Sequence, residues 1–320
     1  MSPNVKGAVF SLIAFAIFAT HDVVVKVLGG IYSPIQIVFF SVLLSFPLAT
    51  VMLMRDSTPG TLVPVHPWWM ALRTGAAVIA GVSAFYAFSA LPLAQTYAIL
   101  FATPLLITVL AIPVLGEKVR VRRWLAVIVG LIGVLVVLRP GETDLSSGHL
   151  AALLAAICGS IASIIVRKIG TDERPVVLLL YPMVINFVIM ACLLPFVYQP
   201  MPIEHLGMLG FIAVFAWVAS RLIIAAYQSG EAAIIAPMQY SQIIWATGFG
   251  LLFFDEAIDR GTAIGAGIII ASGLYIVLRE SRTGASENTP VLRNRSRTET
   301  GTTPRVSLFM RMAGKVPPDH

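Results

Sequence analysis

The sequence predicts an all-α integral membrane protein of ten transmembrane helices, arranged as two inverted five-helix repeats. Three observations carry that expectation. Of the 320 residues, 58% are hydrophobic and only 12% charged, with a mean hydropathy of +0.88, too few charges to clothe a soluble surface. The charges cluster at 55–56, 117–123, 139–144, 167–174, 255–260 and beyond 279. Between them lie apolar runs of about 20 residues, enough to cross a hydrocarbon core of roughly 30 Å as helix. The third observation is a likeness between the two halves of the chain.

Spans are expected at 7–28, 35–54, 71–90, 93–115, 121–139, 148–167, 176–198, 206–226, 232–253 and 262–278. The first apolar run is too long for a signal-peptide core and has no small-residue cleavage site, so it is expected to stay as the first helix. Pro34, Pro92, Pro175 and Pro202 fall at starts and connections, where a missing backbone N–H costs little. Pro47, Pro104, Pro182 and Pro237 fall inside spans and predict kinks or freed carbonyls, which need protein or water as partners in lipid. Cys158 and Cys192 sit in apolar runs and read as small core residues, with no disulfide or metal spacing.

Orientation follows from the Lys/Arg bias. With ten spans and an inside N-terminus, Lys6, Arg55, Lys118, Arg120, Arg122, Arg123, Arg167, Lys168 and Arg174 face the cytoplasm, while Lys26, Arg139 and Arg260 lie outside. Both termini are therefore expected in the cytoplasm of a bacterial-type inner membrane. Residues 281–320, rich in Thr, Ser, Pro, Gly and Arg, read as a disordered basic cytoplasmic tail, solvated or lying on anionic lipid. The inside loops account for the pI of 9.5, and no nucleic-acid motif accompanies the charge, so no nucleic-acid partner is expected.

The repeat divides the chain into 1–140 and 147–280. Residues 7–29 lie over 148–170 without a gap, pairing the end glycines, Leu12 with Leu153, Ala14 with Ala155, and Lys26 with Arg167. Later, Leu115-Gly116-Glu117 and the stretch ending at Arg139 answer Phe254-Asp255-Glu256 and the stretch ending at Arg279. A repeat of five helices enters the membrane upside down in its second copy, the pattern of a transporter with its substrate site near the midplane. The stretches 104–117 and 124–138, with their counterparts in 243–278, resemble the drug/metabolite transporter superfamily, ten-helix EamA type, over roughly 5–280. Glu117 and Glu256 read as structural residues at loop ends. The second half has Ile243 where the first has Pro104 and carries its proline earlier, at Pro237, so its helix break is expected nearer the cytoplasm.

Polar residues inside the spans are the candidate contacts, because desolvating them is costly. Helix one carries His21, Asp22 and Lys26. Asp22 and Lys26 are four apart in the favourable order and read either as a local ion pair or as a substrate or proton contact; Lys26 is also placed to snorkel outward. In span nine, Gln239, Gln242 and Trp245 are spaced as one stripe, with Tyr240 beside them. Two amides and an indole suit a flat polar heterocycle, the competing reading being helix–helix hydrogen bonding. Tyr86, Gln95 and Tyr97 lie near the outer ends of spans three and four. Arg221 reads either as an anion or carbonyl contact or as a snorkelling side chain.

No nucleophile motif, P-loop, Rossmann glycine pattern or metal spacing occurs. No enzyme activity, cofactor or metal is therefore expected, and transport would be driven by a gradient or by exchange, with His21, Asp22 and Glu231 placed to titrate. The expected partners are a small-molecule substrate and the lipid bilayer; a homodimer is compatible with the sequence, which sets no oligomeric state. The resemblance implies a secondary transporter working by alternating access. The His-Asp…Lys pattern and the stretch 236–242 are similar to members importing vitamins or nucleoside-like compounds, riboflavin first and S-adenosylmethionine next. Export of amino acids or drugs, and a structural or assembly subunit, are the alternatives. Reporter fusions after Arg55, Arg123 and Arg279 should all signal cytoplasm and one after Glu142 the opposite side; a cytoplasmic signal at Glu142 would overturn the ten-span count.

Overall fold

The computed structural model describes residues 3–54, 61–116, 121–139, 146–170, 172–229 and 235–282. Glu117, Glu231 and the tail from 283 onward lie outside the described residues. The chain is an all-α membrane protein. Its helices are α1 (Pro3–Gly29), α2 (Pro34–Met54), α3 (Pro67–Ala90), α4 (Leu93–Leu100), α5 (Thr103–Leu115), α6 (Val121–Leu138), α7 (Ser147–Ile169), α8 (Pro175–Val197) and α9 (Ile203–Ser229). A 3₁₀ turn (Ala236–Tyr240) then leads into α10 (Ser241–Phe254), and α11 (Arg260–Arg282) follows. Among the described residues, seven stretches are long and apolar enough to cross a bilayer, and Trp124–Leu138 and Arg260–Ile276 are shorter apolar helices.

Spans four and nine are each interrupted. Span four breaks at Phe101 and Ala102, and α5 begins at Thr103 with Pro104 in its first turn. In span nine the 3₁₀ turn carries Pro237 in its first turn, and α-helix resumes at Ser241. The two prolines therefore open new helical segments instead of kinking continuous ones, which costs no intrahelical hydrogen bond. Helix resumes at nearly equivalent places in the two copies, while the irregular stretch of the second copy begins about a turn earlier. Both spans then end alike. Gly116 (φ 69°) and Asp255 (φ 52°), partners in the repeat, each take the left-handed conformation that terminates a helix.

Packing follows a two-fold exchange of the halves. α1 packs along α9 as α3 packs along α7, and α2 meets α9 as α8 meets α3. α2 with α8 and α6 with α11 pair each span with its own repeat partner. Five spans per copy and a two-fold relation place the axis in the membrane plane. At that axis the two breaks touch: the rings of Phe101 and Tyr240, equivalent residues, meet edge to face at 5.1 Å.

The α6–α11 seam depends on small residues. A Cβ on Gly133 would lie 2.9 Å from the carbonyl of Gly265, and one on Gly265 would lie 2.6 Å from that of Gly133. Such close backbone approach is the usual device for joining helices in lipid, where no hydrophobic force drives them together. The other face of α6 turns Leu125, Ile128, Val129, Ile132 and Leu135 outward. Cys158 is buried, but Cys192 is exposed on α8, a correction to its expected core position; in lipid an apolar outer face and a core face have the same composition. Gly265→Ala should destabilise the fold by about 1–3 kcal/mol through overpacking. Gly267→Ala, whose Cβ meets nothing within 4 Å, should not. Equal thermal stability of the two variants in detergent would show that the seam tolerates separation.

Candidate functional site

Helices α1, α2, α3, α4, α7 and α9 and the span-nine break surround a cavity of about 110 Å³. Its wall is made possible by small residues. Ala80 and Ala84 on α3, Ala155 and Gly159 on α7, and Ala213 and Ala216 on α9 line it, each set spaced to share a helix face. Phe15, Phe18, Phe85, Phe88 and Phe101 also line it. Ser41 and Ser45, one turn apart on α2, add hydroxyls; Ser45 donates to the Ser41 carbonyl at 2.7 Å.

Asp22 is the acidic residue of the described wall, with a side chain only 3% exposed. It sits roughly 10 Å along α1 from Gly29, below the membrane surface. The Tyr97 hydroxyl donates to Asp22 Oδ2, and His21 Nδ1 lies 2.8 Å from Oδ1. Tyr97 is in the last turn of α4 before the break, so the broken span presents this hydroxyl to α1. A buried carboxylate requires such donors, because an unpaired one is strongly disfavoured in a low-dielectric surround. The expected local pair with Lys26 is not made. Lys26 turns away to Glu256, 2.7 Å distant, and to the Leu91 carbonyl at 2.5 Å. Its side chain is only 10% exposed, so it does not snorkel either.

Gln239 and Gln242 both reach the cavity, one on the 3₁₀ turn and one on the first turn of α10. Gln242 is 3% exposed, and its Nε2 has no hydrogen-bond partner among the described residues. Ser41 Oγ, on the same wall, is likewise without one. Each such group costs roughly 1–3 kcal/mol when left unmet, so the cavity is prepared for a polar guest.

The remaining candidates lie elsewhere. Trp245 is 39% exposed and packs near Phe249 instead of lining the cavity. Three α-helical steps place it about 60° round from Gln242, which carries it to the outer surface beside Ile244. Tyr240 is buried in the two-fold contact with Phe101, and its hydroxyl fills the space beside Gly273. Arg221 is exposed on α9, its guanidinium 5.7 Å from the Trp217 ring and away from the cavity lining. Tyr86 and Gln95 bind the start of α7, through Ser147 (2.6 Å) and His149 (3.0 Å). Sequence reasoning missed the phenylalanines and serines of the wall; the Ser41/Ser45 spacing and the alanine pairs were the available signals.

The chain matches the EamA-like transporter family twice, over residues 5–139 and 146–278, and belongs to it. It is 26% identical to the S-adenosylmethionine uptake transporter of Rickettsia bellii, over 86% of this chain and 94% of the relative. It is also 26% identical to the riboflavin transporter of Rhizobium johnstonii, over 68% of this chain and 72% of the relative. A pseudopaline exporter of Pseudomonas aeruginosa is 25% identical over 83% and 94% of the two chains. A solved crystal structure of a protein superposes with a TM-score of 0.57 at 17% identity, over 88% of this chain and 99% of that one, a likeness of fold. The protein is thus a multi-pass transporter of this family.

If Gln242 bonds the transported molecule, Gln242→Ala should weaken apparent affinity by about 5- to 100-fold. Trp245→Ala should leave that affinity as it was. Uptake measured against concentration and normalised to folded protein reads both, and an unchanged affinity in Gln242→Ala would remove this amide from the site.

Proposed function

We propose that the protein takes up a small metabolite joining a planar heterocycle to a positive charge, of the S-adenosylmethionine type, by alternating access. The membrane is a bacterial inner membrane, with both termini in the cytoplasm as the basic loops direct. One observation carries the reading: Asp22 stands in a wall of phenylalanines. A carboxylate beside aromatic faces attracts an organic cation twice over, by charge and by the ring quadrupoles. His21 and Tyr97 hold the carboxylate in position at the wall, where it can meet an incoming cation. Gln242 and Ser41 offer their unmet polar atoms to the edge of a heterocycle. The similarity to S-adenosylmethionine uptake transporters supports the same class.

Riboflavin is the second reading. The Gln239 and Gln242 amides suit the polar edge of a flavin, and a relative bears that name, but a neutral flavin makes no use of Asp22. In proteoliposomes, labelled S-adenosylmethionine should be taken up, and Asp22→Asn should weaken its apparent affinity by about tenfold or more, the scale of a lost charge-assisted contact. Unlabelled riboflavin should compete weakly. Saturable riboflavin uptake that is indifferent to Asp22→Asn would transfer the assignment to the flavin.

A further inference from the structure

The pseudo-symmetry of the packing is broken most strongly between α1 and α3. α1 packs against α3, whereas their repeat partners α7 and α9 do not pack along each other among the described residues. The α1–α3 contact reaches the membrane face that carries the turns at 30–33, 91–92 and 255–259. There Gly29 lies so close to Ser89 that a Cβ on Gly29 would overlap the Ser89 side chain.

The same face is tied by charge. Lys26 Nζ is 2.7 Å from Glu256 Oε1 and donates to the Leu91 carbonyl at 2.5 Å, while Glu256 Oε2 accepts from the Leu93 N–H at 3.1 Å. These bonds join α1 and the end of α10 to the turn between α3 and α4. The left-handed Asp255 folds the chain back so that the Glu256 N–H reaches the Gly250 carbonyl at 2.9 Å, which fixes where the carboxylate points. Both charged side chains are mostly buried, at 10% and 21% exposure, yet Glu256 also borders a surface recess. Asp22, on the cavity wall, lies one helical turn deeper on α1 than Lys26. A buried ion pair gains little net stability, because desolvation offsets its attraction, and wetting releases both charges cheaply. That is the energetics of a closure that must open repeatedly.

In an inverted repeat, the contact that closes one face has an equivalent that closes the other. Gly29 corresponds to Gly170 in the gapless alignment of the first helices, and Ser89 to Ser229 at the same offset of about 140 residues. We propose that Gly29 on Ser89, locked by Lys26–Glu256, closes one mouth of the cavity. The transport cycle exchanges this closure for the approach of Gly170 to Ser229 on the opposite face. The inference rests on the transporter family and is independent of which substrate is carried.

The test uses a thiol introduced by Gly159→Cys, where a Cβ lines the cavity and meets nothing within 4 Å, in protein carrying Cys158→Ser and Cys192→Ser. An impermeant thiol reagent is applied from either face. Gly29→Val, which blocks the first closure, should speed labelling from the 255–259 face by about fivefold or more, a population shift of about 1 kcal/mol. Gly170→Val, which blocks the second, should slow labelling from that face and favour the other. Lys26→Ala and Glu256→Ala, which remove the lock without crowding the helices, should act in the direction of Gly29→Val. The double exchange Lys26→Glu with Glu256→Lys should return labelling towards the parent rate. Shifts in the same direction for Gly29→Val and Gly170→Val, or no shift with Lys26→Ala and Glu256→Ala, would overturn the proposal.

Discussion

A backbone N–H or C=O in hydrocarbon has no water to turn to, so a helix that stops inside the bilayer must be covered by protein. Two spans of this chain stop there, and each covers the other. The interruption at Phe101 and Ala102 faces the one ending at Tyr240, ring against ring. Neither break is sustainable alone, which makes the pairing of the halves a condition for the functional groups to exist. Tyr97 belongs to the last turn before one break, and Gln239 and Gln242 straddle the end of the other. The polar part of the cavity is assembled from the places where α-helix is not continuous.

The charges on α1 show how competing partners are resolved. Asp22 and Lys26 are spaced for a pair worth a few tenths of a kcal/mol on an isolated helix. Making that pair would leave Glu256 buried beside α4 without its cation, a far larger penalty. Lys26 accordingly serves Glu256 and the Leu91 carbonyl, while Tyr97 and His21 serve Asp22. One helix therefore contributes a carboxylate to the cavity and an ammonium to its closure, with a single turn between them.

The spans and the repeat were legible because hydrophobic length and spaced matches such as Lys26 with Arg167 survive without tertiary information. Pro104 and Pro237 marked the two interruptions correctly, but a proline does not say whether it kinks a helix or begins one; the covering contact decides. A stripe at i, i+3 drifts about 60° at each step, so the structure brings the two amides to the cavity wall and sets the Trp245 indole off it. The five cavity phenylalanines were invisible for a different reason. In a soluble helix an apolar stripe marks the inside, but here Phe88 and the exposed Phe253 differ in neighbours and not in character. Only polar atoms and small residues break that degeneracy.

The seam between α6 and α11 joins a span to its own repeat partner through glycines that approach each other's carbonyls, and α2 meets α8 in the same self-paired way. A surface that fits its own image is an isologous interface. A half-length ancestor carrying one copy of this face could therefore have assembled as a homodimer of oppositely inserted chains before any duplication. Fusion of two copies through the segment between 139 and 146 would then have fixed the antiparallel arrangement and freed each copy to diverge. The cavity carboxylate Asp22, answered in the gapless alignment by Ser163, is one product of that freedom.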